Sequence, residues 1–98
     1  MWTEMSDPTI LIQLGARIKE YRIQLGLKQS ELAQLSRVGV NTIYKIEKGK
    51  PVSTSLFISI LRTLGLLENI EMLVPETRLT PMQLLKLQEK KPKRVRNN

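Results

Sequence analysis

Five residues near the middle of the chain have the chemistry and spacing needed to contact base edges in duplex DNA. The amide of Asn41 can pair with N6 and N7 of adenine, and the ammonium of Lys45 with O6 and N7 of guanine. Val40 can touch a thymine methyl group, and Gly39 and Tyr44 lie within one helical turn of these positions. Two alternatives stay open, since Lys45 could instead neutralise a phosphate and Tyr44 could instead pack on the protein.

A second set of side chains suits contacts to the phosphate backbone. These residues are basic or carry an amide or hydroxyl group, and they are Lys28, Gln29, Thr42, Lys48 and Lys50. Phosphate contacts fix the position of a protein on DNA, whereas base contacts supply specificity. Gln29 would open a helix, where free backbone N–H groups also favour a phosphate oxygen.

Two short helices joined by a tight turn would carry both the residues that suit base contacts and most of those that suit phosphate contacts. Apolar residues recur here at helical spacing, which indicates two helices that each bury one stripe. The stripe residues are Leu32, Ala33, Val38, Ile43 and Ile46. We expect helices over residues 29–36 and 40–48, a turn at residues 37–38, and a cap at Gly39. This is a helix-turn-helix arrangement, whose second helix enters the major groove.

A longer helix is predicted before this motif. Asp7 followed by Pro8 is a helix-start signal with Asp7 as the N-cap, and Gly26 ends the helix after about residue 25. Its expected apolar face consists of Leu11, Leu14, Ile18, Tyr21 and Leu25.

Another face of this first helix is basic. We predict that Arg22 forms an ion pair with Glu47 of the second motif helix and so braces the scaffold. An exposed pair of this kind is worth only about 0.2–1 kcal/mol. For Lys19 we expect a solvated position.

The later helices carry a surplus of apolar residues. Ser53 can cap a helix over residues 54–64, a fifth helix is expected over residues 67–74, and Thr80 can cap a short helix over residues 82–88. A large exposed apolar patch usually marks an interface. We therefore expect a homodimer whose interface contains Phe57, Leu61, Leu67, Ile70 and Leu73. A two-fold dimer would bind an inverted-repeat operator with half-sites about 34 Å apart.

Composition agrees with one DNA-binding domain and charged flanks. Sixteen Lys and Arg residues against 9 Asp and Glu give the 98-residue chain a net charge of +7, which favours a polyanionic partner, although solubility alone would also explain it. We expect an N-terminal arm over 1–8, an all-α DNA-binding domain over 9–76, and a flexible basic C-terminal extension over 77–98.

Missing residue types argue against several other functions. The chain has no Cys and no His, so it lacks the usual general base and the commonest metal ligands. No glycine-rich phosphate loop occurs, and we expect no enzyme, no cofactor and no metal. No apolar run reaches the ~18 residues of a membrane span and no leader pattern is present, so we expect a cytoplasmic protein without membrane contact.

The motif residues resemble the Cro/C1-type, or XRE, helix-turn-helix family. The resemblance covers about residues 14–74 and rests on RIQLGLKQSELAQLSRV at residues 22–38 and IYKIEKGK at residues 43–50, which are similar to lambdoid phage repressors. It implies a five-helix lambda-repressor-like domain. The roles it implies are phosphate clamp for Gln29, base reading for Asn41 and Lys45, and bracing for Arg22 with Glu47. Arg37 departs from the pattern, because the family has a glycine in this left-handed turn.

Residues 73–96, LVPETRLTPMQLLKLQEKKPKRVR, resemble HipB-type antitoxins. That resemblance implies an autoregulating repressor whose partner is a HipA-type serine/threonine kinase toxin. The alternative is a stand-alone phage-type or housekeeping repressor whose tail only adds phosphate contacts. The third class is a protein-interaction module that no longer binds DNA. Acidic residues on the second helix of the motif, which we call the reading helix, would favour this class. Glu47 is the only such residue, and we assign it to the scaffold.

Overall fold

The chain is helical throughout its regular secondary structure, over the part that the structure describes. The structure is a computed structural model that describes residues 1–78 and 80–90. The helices are α1 Asp7–Gln24, α2 Gln29–Ser36, α3 Val40–Glu47, α4 Thr54–Leu64, α5 Ile70–Leu73 and α6 Pro81–Lys90. The predicted all-α class is confirmed. Helix α6 lies in the extension that we predicted to be flexible, and the basic tail after it, residues 91–98, falls outside the described residues.

Helix α1 begins at Asp7, and its N-cap is Ser6. The hydroxyl oxygen of Ser6 accepts a hydrogen bond from the backbone N–H of Thr9 at 3.3 Å. The prediction that Asp7 is the N-cap is therefore wrong by one residue. The carboxylate of Asp7 lies in the first turn instead, where its negative charge interacts favourably with the helix dipole. Pro8 follows at a position where the helix needs no backbone N–H donor.

The buried face of α1 differs from the predicted apolar face. Ile18 is buried as expected, but Tyr21 and Leu25 are 42% and 53% exposed. Gly15 and Arg22 are buried in their place. The residues at 15, 18 and 22 have the three- and four-residue spacing of one helix face, and α3 packs against α1. The prediction was wrong for Tyr21 and Leu25 because it looked for a face of apolar residues, whereas Gly15 and Arg22 on the buried face are not apolar.

One core joins α1 to α4. Its buried members are Ile18, Leu32, Ala33, Ile43, Ile46, Ile60 and Leu64, and Val38 packs against them while partly buried. The five stripe residues predicted for the helix-turn-helix are therefore all in or against this core. The largest fully buried side chains are one each from α2, α3 and α4, namely Leu32, Ile43 and Ile60. These three side chains hold the helix-turn-helix motif against the rest of the core.

Two glycines allow α1 and the end of α3 to approach each other closely. A Cβ at Gly15 would collide with the carbonyl oxygen of Ile46 and would lie 3.0 Å from that of Glu47. A Cβ at Gly49 would lie 2.7 Å from the Cα of Ile12, and Gly49 also has a φ of +82°. Both positions therefore need glycine, and backbone-to-backbone contact fixes the position of α3 on α1.

Of the C-terminal helices, α4 has the predicted bounds, α5 is shorter than predicted and α6 is longer. Ser53 caps α4 by accepting from the backbone N–H of Leu56 at 3.3 Å, as expected. The predicted fifth helix begins as a 3₁₀ turn, Leu67–Asn69, and only α5 is α-helical. Thr80 caps α6 by accepting from the backbone N–H of Gln83 at 3.1 Å. The leucines of α6 are about half exposed.

Candidate nucleic-acid interface

The turn between α2 and α3 is left-handed even though its central residue is an arginine. Arg37 has φ 58° and ψ 43°, and among the described residues other than glycine it alone has a positive φ. Its backbone N–H donates to the carbonyl of Gln34, and the N–H of Val38 donates to that of Ala33 at 3.0 Å. The latter bond is that of a Schellman cap. The departure from glycine therefore leaves the turn geometry intact.

A buried ion pair links α1 to the end of α3. Arg22 Nε donates to Glu47 Oε2 at 2.6 Å, and Arg22 Nη2 donates to Glu47 Oε1 at 3.2 Å. A third bond runs from Arg22 Nη1 to the carbonyl of Leu27 at 2.8 Å. The two side chains are only 10% and 3% exposed. These are the residues predicted to brace the scaffold. Because they are buried, loss of one partner would cost more free energy of unfolding than loss of the exposed bridge considered from the sequence.

Gln29 takes part in the same network. Its Nε2 donates to Glu47 Oε1 at 3.0 Å, so one carboxylate holds both the end of α1 and the first residue of α2. An amide nitrogen has two N–H donors. Among the bonds within the described residues, the second N–H of Gln29 has no acceptor. Gln29 is half-buried, so this N–H is the part of the side chain that remains for a ligand such as a phosphate.

The exposed side of α3 carries the residues predicted to read bases. Gly39 is the N-cap of α3, and Val40 and Tyr44 are 46% and 49% exposed. Asn41 and Lys45 are also exposed, whereas Ile43 and Ile46 point into the core. Residues 41, 44, 45 and 48 have the spacing of one helix stripe. The structure therefore brings the predicted base-reading residues together on the surface.

Most of the residues predicted to contact phosphates are also exposed. Lys28, Lys48 and Lys50 are exposed, and Thr42 is half-buried. The backbone N–H of Lys28 donates to the Glu31 carboxylate at 2.7 Å, which caps α2. The Lys48 ammonium lies 5.1 Å from the centre of the Tyr44 ring, within cation–π range. Tyr44 thus contacts Lys48 on the surface, instead of packing into the core.

A comparison with protein-family models identifies the fold and its class of function. The model described as "Helix-turn-helix" matches residues 18–68, just over half of the chain. The chain belongs to the Cro/C1-type helix-turn-helix family. It therefore contains a DNA-binding domain of the kind found in transcription regulators. A search of curated proteins finds no match.

The matched segment covers the helix-turn-helix and the residues that hold it. The matched segment starts at Ile18 on the buried face of α1 and ends at Glu68, just after α4. It includes both partners of the Arg22–Glu47 pair and the whole reading helix.

Within the described residues, no helix is long and apolar enough to cross a membrane, and no cluster of acidic side chains has the arrangement of a metal site.

Sequence reasoning missed one basic residue near this interface. Lys19 is exposed, as expected for a solvated position, and it also lines an open cleft together with Gln29, Tyr44, Glu47 and Lys48. Lys19 lies one helical turn before Arg22, which was predicted to reach Glu47, but the spacing within α1 does not by itself place Lys19 near the end of α3.

Proposed function

We propose that the chain is a sequence-specific repressor that binds duplex DNA as a homodimer and serves as the autoregulating antitoxin of a HipA-type kinase toxin. The observation that carries the DNA-binding part is the polarity of α3. Ile43 and Ile46 are buried, while Asn41 and Lys45 are exposed on the opposite side. A helix whose apolar side is buried in the core in this way can enter the major groove with its polar side facing the bases.

Different residues would have different roles in that complex. Asn41 and Lys45 would form hydrogen bonds to base edges, and Val40 would contact a thymine methyl group. The exposed lysines around α3 and at the start of α2 would contact phosphates. Base contacts change affinity for one sequence over another, whereas phosphate contacts change affinity for all sequences.

This division of roles is testable with two lysine variants. We expect Lys45→Ala to cost about 1–3 kcal/mol on the operator and to relax base preference, because it removes a contact to a base edge. Lys28→Ala should weaken operator and random DNA equally. Fluorescence anisotropy with the promoter of the chain's own gene and a shuffled duplex measures both. Equal losses on the two duplexes for both variants would show that the roles are wrongly assigned.

The proposed dimer interface lies at the C-terminal end of the domain. Leu73 is 70% exposed, and Phe57, Leu67 and Ile70 are half-buried. Leu61 is only 9% exposed, so most of its surface is already covered within one protomer. Met72 and Val74, 85% and 73% exposed, extend the same apolar end. Burial of these side chains against a second copy would remove them from water.

The antitoxin part rests on the resemblance of residues 73–96 to HipB-type antitoxins. Its support within the described residues is α6, whose Met82, Leu84, Leu85 and Leu87 are all about half exposed or more. An amphipathic helix of this kind suits a groove on a protein partner. On this proposal a HipA-type kinase is encoded beside the gene, and co-expression of the two proteins followed by pull-down tests it.

The variant for that pull-down is the double substitution Leu84→Asp and Leu85→Asp. We expect it to lose the kinase while it keeps operator affinity. Wild-type chain that captures no kinase would rule out the antitoxin role and leave the repressor role in place.

A stand-alone phage-type or housekeeping repressor is the second candidate. The observation that favours it is the charge of the C-terminal segment, where residues 86–96 contain six basic residues and one acidic residue. Such a tail adds phosphate contacts without needing a protein partner. Deletion of residues 90–98 should then reduce the dependence of DNA affinity on salt, by about 0.9 in the log–log slope for each phosphate that the tail neutralises.

A further inference from the structure

A second cleft, which we call the α2–α4 cleft, lies between the end of α2, the turn that follows it, and α4. Its volume is about 330 Å³, and it is lined by Leu35, Ser36, Arg37, Ser59, Arg62 and Thr63. Within the part of the chain that the structure describes, its lining includes no residue of the reading helix and none of the residues predicted to contact DNA. The α2–α4 cleft is therefore a separate surface from the candidate nucleic-acid interface.

Arg37, at one side of this cleft, has a backbone conformation that is strained for an arginine. Its φ of 58° lies in the left-handed region, which glycine adopts without strain. The turn does not need the arginine side chain, because its cap is made by backbone atoms. Residues under such strain cluster at active sites, ligand clamps and switch regions. The strain therefore indicates a function for the exposed side chain of Arg37.

The charge of the α2–α4 cleft is positive. Arg37 and Arg62 are both exposed, and none of the described residues that line the cleft is acidic. The ion pairs among the described residues are those of Glu4 with the N-terminus and of Glu47 with Arg22, so neither cleft arginine has a carboxylate partner there. A guanidinium group binds a planar carboxylate through two parallel N–H bonds. Two such groups beside one space favour that kind of anion.

The hydroxyl groups in the α2–α4 cleft already donate within the protein. Ser36 Oγ donates to Thr63 Oγ1 at 2.7 Å, and Thr63 Oγ1 donates to the carbonyl of Ser59 at 3.3 Å. Ser59 Oγ donates to the carbonyl of Ser55 at 3.2 Å. Each hydroxyl has one proton, so the side-chain donors left for a ligand are those of the two arginines. Leu35, 61% exposed, adds apolar surface to the same cleft.

We propose that the α2–α4 cleft docks an acidic segment of a partner protein. A carboxylate of that segment lies between Arg37 and Arg62, and an apolar side chain next to it covers Leu35. The exposed leucine favours a protein segment over the backbone of a nucleic acid, which carries charge without an apolar side chain beside it. Docking at this cleft does not need DNA. On the proposed function, the domain can hold this partner and its operator at the same time.

The test is an NMR titration of the full chain with the blocked synthetic peptide Glu-Leu-Glu-Glu. We expect amide shifts at Ser36, Arg37 and Thr63. Arg37→Gln and Arg62→Gln should each weaken binding by about threefold, which is the effect of losing one exposed ion pair. The peptide Gln-Leu-Gln-Gln should not shift these amides, and Glu-Ser-Glu-Glu should bind more weakly. Absence of shifts with Glu-Leu-Glu-Glu, or equal shifts with Gln-Leu-Gln-Gln, would overturn the proposal.

Arg78→Gln is the matched control. Arg78 is an exposed arginine after α5 that does not line the α2–α4 cleft, and this variant has the same net charge as the two cleft variants. We expect it to keep wild-type affinity for the peptide. Circular dichroism melts should show that all three variants are folded, since the three side chains are exposed. A loss as large as that of the cleft variants would mean that the peptide responds to overall charge, and would overturn the assignment.

Duplex DNA separates this surface from the nucleic-acid interface. The peptide shifts at the α2–α4 cleft should persist when the chain is saturated with duplex DNA, and Arg37→Gln and Arg62→Gln should keep wild-type affinity for the duplex. Loss of the shifts on addition of DNA, or lower DNA affinity of both variants, would show that the cleft contacts DNA and would overturn the proposal. Wild-type chain that binds the peptide but no DNA at low salt would support the docking site and contradict only the proposed function.

Discussion

At the scale of single residues, the Glu47 carboxylate connects α1, α2 and α3. It accepts hydrogen bonds from Arg22, which closes α1 onto α3, and from Gln29, which opens α2. Its side chain is only 3% exposed, so this network is screened from solvent. Removal of one partner leaves a buried charge without compensation, which is more costly than removal of a surface bridge.

The first prediction concerns this pair. Arg22→Met should lower the free energy of unfolding by about 3–5 kcal/mol, because Glu47 would remain buried and charged. Urea unfolding followed by circular dichroism measures the change. Lys19→Met is the control on an exposed site of the same helix, and it should change stability by about 0.5 kcal/mol or less.

A double variant separates the ion pair from simple packing. Arg22→Met combined with Glu47→Met should regain most of the stability that Arg22→Met removes, because the unpaired charge is gone. A double variant as unstable as Arg22→Met alone would contradict this explanation.

Arg37 gives a second prediction at this scale. A left-handed backbone costs a residue other than glycine about 1–2 kcal/mol, and glycine loses about 0.5–1 kcal/mol through its larger entropy in the unfolded chain. Arg37→Gly should therefore stabilise the fold by about 0.5 kcal/mol, visible as a higher thermal midpoint. Arg62→Gly removes the same charge from within α4 and should instead destabilise by about 1 kcal/mol. Similar shifts for the two variants would mean that backbone strain at Arg37 is not the cause.

At the scale of helices, the contact of α1 with α3 decides how the reading helix is presented. The Gly15 backbone lies directly against the carbonyl groups of Ile46 and Glu47. No side chain separates the two helices at this point, so none can adjust to relieve a clash.

Gly15→Ala should therefore destabilise the fold by about 1–3 kcal/mol and weaken operator binding, because α3 must shift. Thermal melts and anisotropy measure the two effects. Ala16→Leu adds a larger group at the neighbouring exposed position and should leave stability within about 0.5 kcal/mol. Equal effects of the two variants would contradict the role of the close contact.

The helix-turn-helix could be predicted from sequence because its buried residues, apart from Ser36, are apolar. Leu32, Ile43 and Ile46 recur at helical spacing, and each is buried. The face of α1 could not be predicted in the same way, because Gly15 is buried for its small size and Arg22 for its hydrogen bonds. A pattern based on apolar residues selects Tyr21 and Leu25 instead.

The candidate site was predictable to a similar extent. Its reading-helix residues follow from the spacing within α3, since the exposed stripe is the side opposite Ile43 and Ile46. Lys19 was missed because its proximity to Tyr44 and Lys48 depends on how α1 crosses α3. Such a crossing is a tertiary property, which the spacing within one helix does not specify.

At the scale of the whole molecule, much of the exposed apolar surface comes from residues that follow α4. Leu73 and Val74 are 70% and 73% exposed, and the leucines of α6 are about half exposed. A dimer formed through the α5 end would place two reading helices on one duplex, since half-sites of such dimers are one helical turn apart.

Leu73→Lys should weaken this dimer by roughly tenfold or more, because it introduces a charge into an apolar interface. Sedimentation equilibrium measures the self-association, and anisotropy should show reduced affinity for an inverted repeat with unchanged affinity for a single half-site. Leu35→Lys is the control at another exposed leucine, 61% exposed on α2. Dimers of wild-type strength for Leu73→Lys would exclude this interface.

The two opposite sides of α3 have a consequence for how operator preference can change. Val40, Asn41, Tyr44 and Lys45 make no contribution to the buried core, while the residues that hold α3 do not reach the surface. The outer residues of another family member could therefore be transplanted here at little cost in folding. On the proposed function, exchange of these surface residues alone should therefore change the operator that the domain binds without changing its fold.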